Sequence, residues 1–316
     1  MVLEMRSVAF LFALAFVAAA CGASGGAPTP TAIQAPVGGY AGWPPNVTSE
    51  LVPIPISTEL VVGENRLLVN LVTKTNEPLA SPDRPVQLRL YNLGADASTP
   101  KIDTPAIFLP TIEGRPGLYR ADVTFDAAGD WGLETITTES DGSHRSGRMV
   151  LSVREEGTTP GIGDSAPTSE TPTAATADEI AKISTDTAPD PAFYKTSEPD
   201  ALAAKKPFVL VFATPAFCRT ATCGPTLNLV KSVAADYEDR LTFIHVEPYE
   251  LHTVNGSLQP VLSAQNDPIA VDATNIWGLQ TEPYVFVVDG SGKVAAKFEG
   301  IASDEELRAA FDDVLK

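Results

Sequence analysis

Between Pro207 and Thr226 the chain reads Pro-Phe-Val-Leu-Val-Phe-Ala-Thr-Pro-Ala-Phe-Cys-Arg-Thr-Ala-Thr-Cys-Gly-Pro-Thr, and few folds accept that order. Phe208–Phe212 is a short apolar run of β-branched and aromatic residues. Such a run predicts a strand buried on both faces of a parallel or mixed sheet. Thr214-Pro215 ends it, because proline disfavours helix in the residue before it and cannot donate to a ladder. Cys218 and Cys223 follow, and then Leu227, Val230, Ala234 and Tyr237 recur at helical spacing. The expected layout is a buried strand, a tight loop with two thiols and an amphipathic helix over Pro225–Tyr237. A thiol at a helix start meets unpaired N–H groups and the positive end of the macrodipole, which favour thiolate, and Arg219 pushes the same way. Thiolate is the form that attacks disulfides or binds soft metals. Cys218 and Cys223 are therefore the candidate catalytic pair. An inert staple across the loop is the other reading of the same two residues.

The amino terminus supplies the compartment. Arg6, an apolar run from Val8 to Val17 and Ala18-Ala19-Ala20 before Cys21 make a secretory signal over residues 1–20, too short to span a bilayer and stay. The small residues ahead of Cys21 resemble a bacterial lipobox. That resemblance implies lipidation of Cys21 and an extracytoplasmic protein anchored to the bacterial cell membrane. Of three cysteines, lipidation would leave an even pair in an oxidising compartment. A net charge of −18 argues against nucleic-acid partners, whose phosphates need a basic face. Residues 21–46, rich in Gly, Ala, Pro and Thr, read as a flexible tether.

Residues 47–155 read as all-β. Leu60–Val62, Arg66–Thr73, Val86–Asn92, Ala106–Leu109, Leu118–Phe125, Gly132–Thr138 and Arg148–Val153 are short alternating or apolar runs separated by turn signals such as Gly63-Glu64-Asn65 and Asp141-Gly142. About seven strands in roughly a hundred residues fit an immunoglobulin-like sandwich. Tyr119 and Trp131 are expected in its core or at a corner. The stretch Gly117-Leu-Tyr-Arg-Ala-Asp-Val-Thr-Phe-Asp-Ala-Ala-Gly-Asp-Trp-Gly-Leu resembles YtkA-like modules of exported bacterial proteins, which implies a docking or spacing role.

Residues 156–178 have linker composition, and Ile180–Ser184 reads as an edge strand. Within 179–316, Ser197 caps a helix running to Lys206. Leu241–Val246 is a second strand, and a polar stretch to Asp267 is an inserted loop. Thr274–Leu279 is a short helix, Tyr284–Val288 and Val294–Phe298 form a hairpin, and Ser303 caps a helix over Asp304–Leu315. With Cys223-Gly-Pro-Thr226 in place of Cys-Gly-Pro-Cys, and with Glu282-Pro283 ahead of a strand, Phe208–Lys316 resembles a thioredoxin-like domain of the TlpA/Sco-related kind. The fold expected for the chain is thus an all-β immunoglobulin-like sandwich followed by an α/β thioredoxin-like fold.

That resemblance implies a thiol–disulfide oxidoreductase acting on protein thiols and disulfides with no cofactor. It implies a cis Glu282–Pro283 bond, with Glu282, Pro283 and Arg219 lining the substrate seat. Cys223, nearest the helix start, is the favoured nucleophile, with Cys218 close behind. Cys218-x4-Cys223-Gly-Pro-Thr-Leu followed by Thr242-Phe-Ile-His-Val-Glu-Pro is also similar to the Sco copper-chaperone branch. This implies copper on Cys218, Cys223 and a histidine, for which His252 is the candidate. The cysteine spacing is one residue longer than in that branch, and Trp277–Glu282 holds no histidine. A non-catalytic interaction module is the remaining alternative.

Overall fold

The computed structural model describes Trp43 and residues 51–316, apart from 113–115 and 140. The expected signal, the tether and the lipidation site Cys21 lie outside the described residues. All described residues belong to one compact unit.

Seven strands fill the first half: β1 Val52–Pro55, β2 Gly63–Val72, β3 Val86–Asn92, β4 Ile102–Leu109, β5 Leu118–Phe125, β6 Gly129–Thr138 and β7 His144–Val153. They pair in the order β1-β2-β5-β4-β3-β6-β7, all antiparallel. Alternation sets the inner face, so that Leu67, Val69, Leu71, Leu88, Leu90, Tyr119, Ala121 and Val123 form one buried cluster. Strand β4 changes partner midway: Ile102–Ala106 pairs with β3 and Ile107–Leu109 with β5. Only its second half reads as a strand in sequence, because Ile102-Asp-Thr-Pro shows no run of apolar residues. Val62 N donates to Arg154 O and Arg154 N to Leu60 O, both at 2.9 Å. These bonds bring the lead-in to β2 against the end of β7 and leave the sheet a nearly closed barrel. The Tyr119 hydroxyl donates to Ser81 O at 2.9 Å, and Trp131 is buried with its Nε1 on Ala127 O at 3.0 Å. Both aromatics serve the core, and the immunoglobulin-like all-β reading of this half stands.

The second half is built on β8 Phe208–Phe212, β9 Thr242–Val246, β12 Tyr284–Val288 and β13 Val294–Glu299, in the order β13-β12-β8-β9, with only β8 and β9 parallel. All five residues of β8 and of β12 are buried, as continuous apolar runs require. Val209, Val211, Val285 and Val287 face α3 Cys223–Ala234 and α5 Asp304–Asp313, meeting Leu227, Val230, Leu307 and Phe311. Phe208, Leu210, Phe212 and Phe286 face the other way, against Trp277 and against Ala201 of α2 Glu198–Ala204.

Three local expectations change. Ile180–Ser184 is not an edge strand: Ile180 ends the short helix α1 Ala177–Ile180, whose Thr176 and Glu179 make a reciprocal capping box. The inserted loop contains a hairpin, β10 Leu251–Val254 with β11 Ser257–Pro260. Asn255 and Gly256 supply its turn, with φ of 51° and 82°, the two positive values that a type I′ connection demands. Residues 157–176 are tied down. Gly163 N donates to Val294 O at 2.8 Å, Val294 N to Asp164 O at 2.9 Å and Ala166 N to Gly292 O at 2.9 Å. Gly278 (φ 69°) has no room for a side chain, since a Cβ there would lie 1.8 Å from Thr158 O.

The expected pairing of a sandwich with an α/β thioredoxin-like fold is thereby corrected. Among the described residues helix makes up 16% and strand 37%, and no helix, with α4 at Asp272–Ile276, runs past the 12 residues of α3. Strand wins because the insertion folds as a ribbon and the helical patterns terminate early: α3 stops at Ala234 rather than Tyr237, and α5 at Asp313 rather than Leu315.

The two halves meet through charge. Glu306 of α5 accepts from Arg66 Nε at 2.6 Å and Nη2 at 3.0 Å, and pairs with Arg120 Nη1 at 2.7 Å. Burial works to raise the Glu306 pKa, but the hydrogen bonds and charge of Arg66 outweigh it and hold the carboxyl below its ordinary value. Ile301 packs beside this cluster on Leu68, Leu109 and Leu118.

Candidate redox site

Cys218 and Cys223 form a disulfide with Cα atoms 5.9 Å apart, inside the usual range for such bridges. Strand β8 brings the chain to Ala213, and Thr214–Phe217 turns it. Ala221 takes φ 61°, a left-handed conformation that costs an alanine about 1 kcal/mol. This kink doubles the chain back so that Cys223 becomes the first residue of α3.

The two sulfurs differ in surroundings. Cys223 is fully buried in the core beneath α3, whereas Cys218 is partly exposed. The backbone N–H of Cys223 donates to Cys218 Sγ at 3.2 Å, and Thr220 Oγ1 lies 3.3 Å from the same sulfur. The helix start therefore serves the sulfur of Cys218, although Cys223 is the residue that stands there. The sequence reading favours Cys223, whereas this N–H contact falls on Cys218.

Glu282 and Pro283 close the other side. Their peptide bond is cis, as the sequence reading expects. The Glu282 carboxylate is 7% exposed, accepting from Arg219 N at 3.3 Å and from the Tyr249 hydroxyl at 2.8 Å. Glu282 O also accepts from Thr220 Oγ1 at 3.3 Å. Arg219 thus reaches the site through its backbone. Tyr249, in the polar stretch after β9, carries no sequence signal beyond being an aromatic among polar residues. Burial and its bond to Glu282 push its phenol pKa up, so it remains an O–H donor.

No histidine joins this group. Among the described residues, Cys218, Cys223 and Glu282 are the metal-ligand side chains whose donor atoms lie within 4.8 Å of one another. His252 is exposed on β10. His245 is buried, with Nε2 on Ala213 O at 2.9 Å and Nδ1 sharing a hydrogen bond with Tyr194 at 2.8 Å. Burial pushes its pKa down to about 4, so it is a neutral brace between β9 and the end of β8. His144 lies exposed at the start of β7, 3.2 Å from Thr138 Oγ1.

Behind the loop sits a buried acid. Glu247 Oε1 accepts from Thr185 N and Oγ1, both at 2.6 Å, and Thr185 Oγ1 accepts from Ala216 N at 3.2 Å. Burial raises the Glu247 pKa above the ordinary 4.5 of a solvated glutamate. A carboxyl whose folded pKa exceeds its unfolded one contributes stability that is fully present below pH 4.5 and lost as pH rises through the folded value. Buried Glu198 shifts in the same direction for the same reason. Urea midpoints taken from pH 4.5 to 8 should therefore fall with rising pH, and Glu247→Gln should reduce that slope. An unchanged slope in the variant would remove Glu247 from this account.

No family model matches the chain, and no curated protein does. Solved structures similar to it include the CARDB domain of a Pyrococcus furiosus protein, at 12% identity over 34% of this chain and 96% of that one, TM-score 0.20. The soluble domain of PmoD from a Methylocystis species matches at 15% identity over 33% of this chain and 88% of its own, TM-score 0.18. A cohesin module of a Clostridium perfringens family 33 glycoside hydrolase matches at 13% identity over 34% of this chain and all of its own, TM-score 0.20. The CARDB and cohesin modules are all-β, and no thioredoxin-like match is found. The family expectation is corrected. Neither the thioredoxin-like, TlpA/Sco-related assignment nor its YtkA-like companion carries forward, and the chemistry must rest on the site itself.

Proposed function

We propose that the protein is a thiol–disulfide oxidoreductase whose working pair is Cys218 and Cys223. The observation that carries this reading is the asymmetry of the disulfide: one sulfur reaches solvent and receives a helix-start N–H, and the other is sealed in the core. Inert staples have no need of that division, whereas exchange needs an attacking thiolate in reach and a resolving thiol held behind it.

In the reduced pair, the Cys218 thiolate attacks one sulfur of a partner disulfide. A mixed disulfide forms and the partner's other sulfur leaves as thiolate. Cys223, deprotonated, then attacks Cys218 Sγ. The internal disulfide closes and the partner's second sulfur is released. Two electrons have moved from the pair to the partner, and the same steps in reverse oxidise a partner dithiol. Glu282 places a carboxylate beside the exchanging sulfurs, which disfavours acidic partner segments. Pro283, which has no N–H, leaves that side of the seat without a donor. Export and anchoring through Cys21 belong to the same proposal and rest on the sequence alone. They put the pair where protein disulfides form.

The test is thiol trapping of the full chain across a glutathione redox series. A midpoint within roughly −120 to −270 mV, the span of known exchange proteins, with equilibration in minutes, is the expected result. A bridge that stays closed through the series would make it a staple and overturn the reading.

A further inference from the structure

We propose that reduction turns this same site into a three-ligand seat for a thiophilic divalent cation of the Zn2+ kind, held by Cys218 Sγ, Cys223 Sγ and a carboxylate oxygen of Glu282. The inference rests on the pair being reducible, as in the exchange reading, and adds a ligand that competes with it.

Three observations carry it. The first is spacing. The donor atoms of the three residues lie within 4.8 Å of one another. A tetrahedral ion with ligands at 2.0–2.3 Å spaces its donors by about 3.6 Å, so parting the two sulfurs on reduction moves the set toward that geometry. The second is the support around the donors. Tyr249 and the Arg219 N–H fix the Glu282 carboxylate, and the Cys223 N–H donates to Cys218 Sγ. Held carboxylates and hydrogen-bonded thiolates are what outer partners provide in metal centres. The third is donor chemistry. Two thiolates with one carboxylate suit borderline Zn2+ better than Cu(I), which favours all-soft sets, and His252 stands apart on the exposed hairpin.

The steps balance. A trialkylphosphine supplies two electrons to the disulfide and takes an oxygen from water, leaving two thiols. Zn2+ then binds both as thiolates, displacing their protons with no redox change, and the carboxylate fills the third position. Metal and disulfide exclude each other, so the ion protects the thiols from oxidation and is released when the disulfide forms.

The experiment uses the full chain, reduced with the phosphine, desalted without oxygen and titrated with Zn2+ alone against a chromophoric chelator. The reduced chain should bind one ion with release of one to two protons, fewer the more Cys218 is already thiolate, and the oxidised chain should bind none. Glu282→Gln should weaken binding by about 100-fold, Tyr249→Phe by roughly tenfold, and His252→Ala should change nothing. Circular dichroism verifies that each variant is folded. If Glu282→Gln is not, Tyr249→Phe, which keeps all three ligands, decides. A reduced chain that leaves Zn2+ unbound, or a folded Glu282→Gln that binds as tightly as the parent, overturns the metal site alone. A pair that the phosphine cannot open overturns both this inference and the exchange reading.

Discussion

Cys218→Ala is expected to abolish exchange with a disulfide substrate, a loss on the order of a thousandfold or more. Cys223→Ala is expected to do something different: to accumulate a mixed disulfide on Cys218. The difference follows from burial. Cys223 has no exposed surface, so once Cys218 is gone no sulfur is left for a partner to meet. In the converse variant Cys218 still attacks, its sulfur still receives the helix-start N–H from residue 223, and nothing behind it resolves the adduct. Non-reducing gels of each variant against a protein disulfide read the result directly. Trapping by Cys218→Ala, with none by Cys223→Ala, would reverse the order of attack and restore the one that helix position suggests in the sequence.

The second large effect is structural. Glu306→Ala should destabilise the protein by about 3–5 kcal/mol, the cost of stranding a buried charge. It leaves Arg66 and Arg120 facing each other with side-chain exposures of only 13% and 20%. It also removes the acceptor that satisfies Ser303 N at the start of α5. Both losses fall on the contact between the barrel and the four-stranded sheet. Urea denaturation measures the total, and hydrogen exchange should locate the loosening at β2, β5 and α5. A Glu306→Ala variant within 1 kcal/mol of the parent would mean that the remaining contacts, Ile301 on the barrel, Thr58 on Glu299 and Lys297 on Glu59, hold the halves together without it.

How much of this was legible depended on what each segment buries. The strands Phe208–Phe212, Leu241–Val246 and Tyr284–Val288 could be read because all their partners are apolar, and apolar runs declare themselves. The two cysteines could be read as a pair, and Glu282 as their neighbour. Their division of labour could not, since it depends on a single left-handed residue, Ala221, that turns one sulfur inward. Tyr249 and Glu247 were illegible as site residues because their roles come from partners far along the chain, Glu282 and Thr185. In the β10–β11 ribbon only Leu251, Leu258 and Pro260 are even half-buried, too short a pattern to declare a pair of strands. Its Asn255-Gly256 turn was the one available sign. The architecture of the whole is illegible for a related reason: helical spacing in the sequence runs past the true helix ends, and segments without an apolar pattern carry structure all the same.

Residues 163–166 illustrate what such a segment can do. The outermost strand of a sheet offers unsatisfied N–H and C=O groups to any chain that drifts past, and this is how folded proteins begin to aggregate. Here there are two such strands, β9 at one edge and β13 at the other. Gly163, Asp164 and Ala166 take up its opening groups, while Arg66 Nη1 sits on Glu299 O at its end, at 3.4 Å. A stretch with the composition of a spacer thus works as a guard rail along the start of this edge, covering groups that a second chain could otherwise pair with.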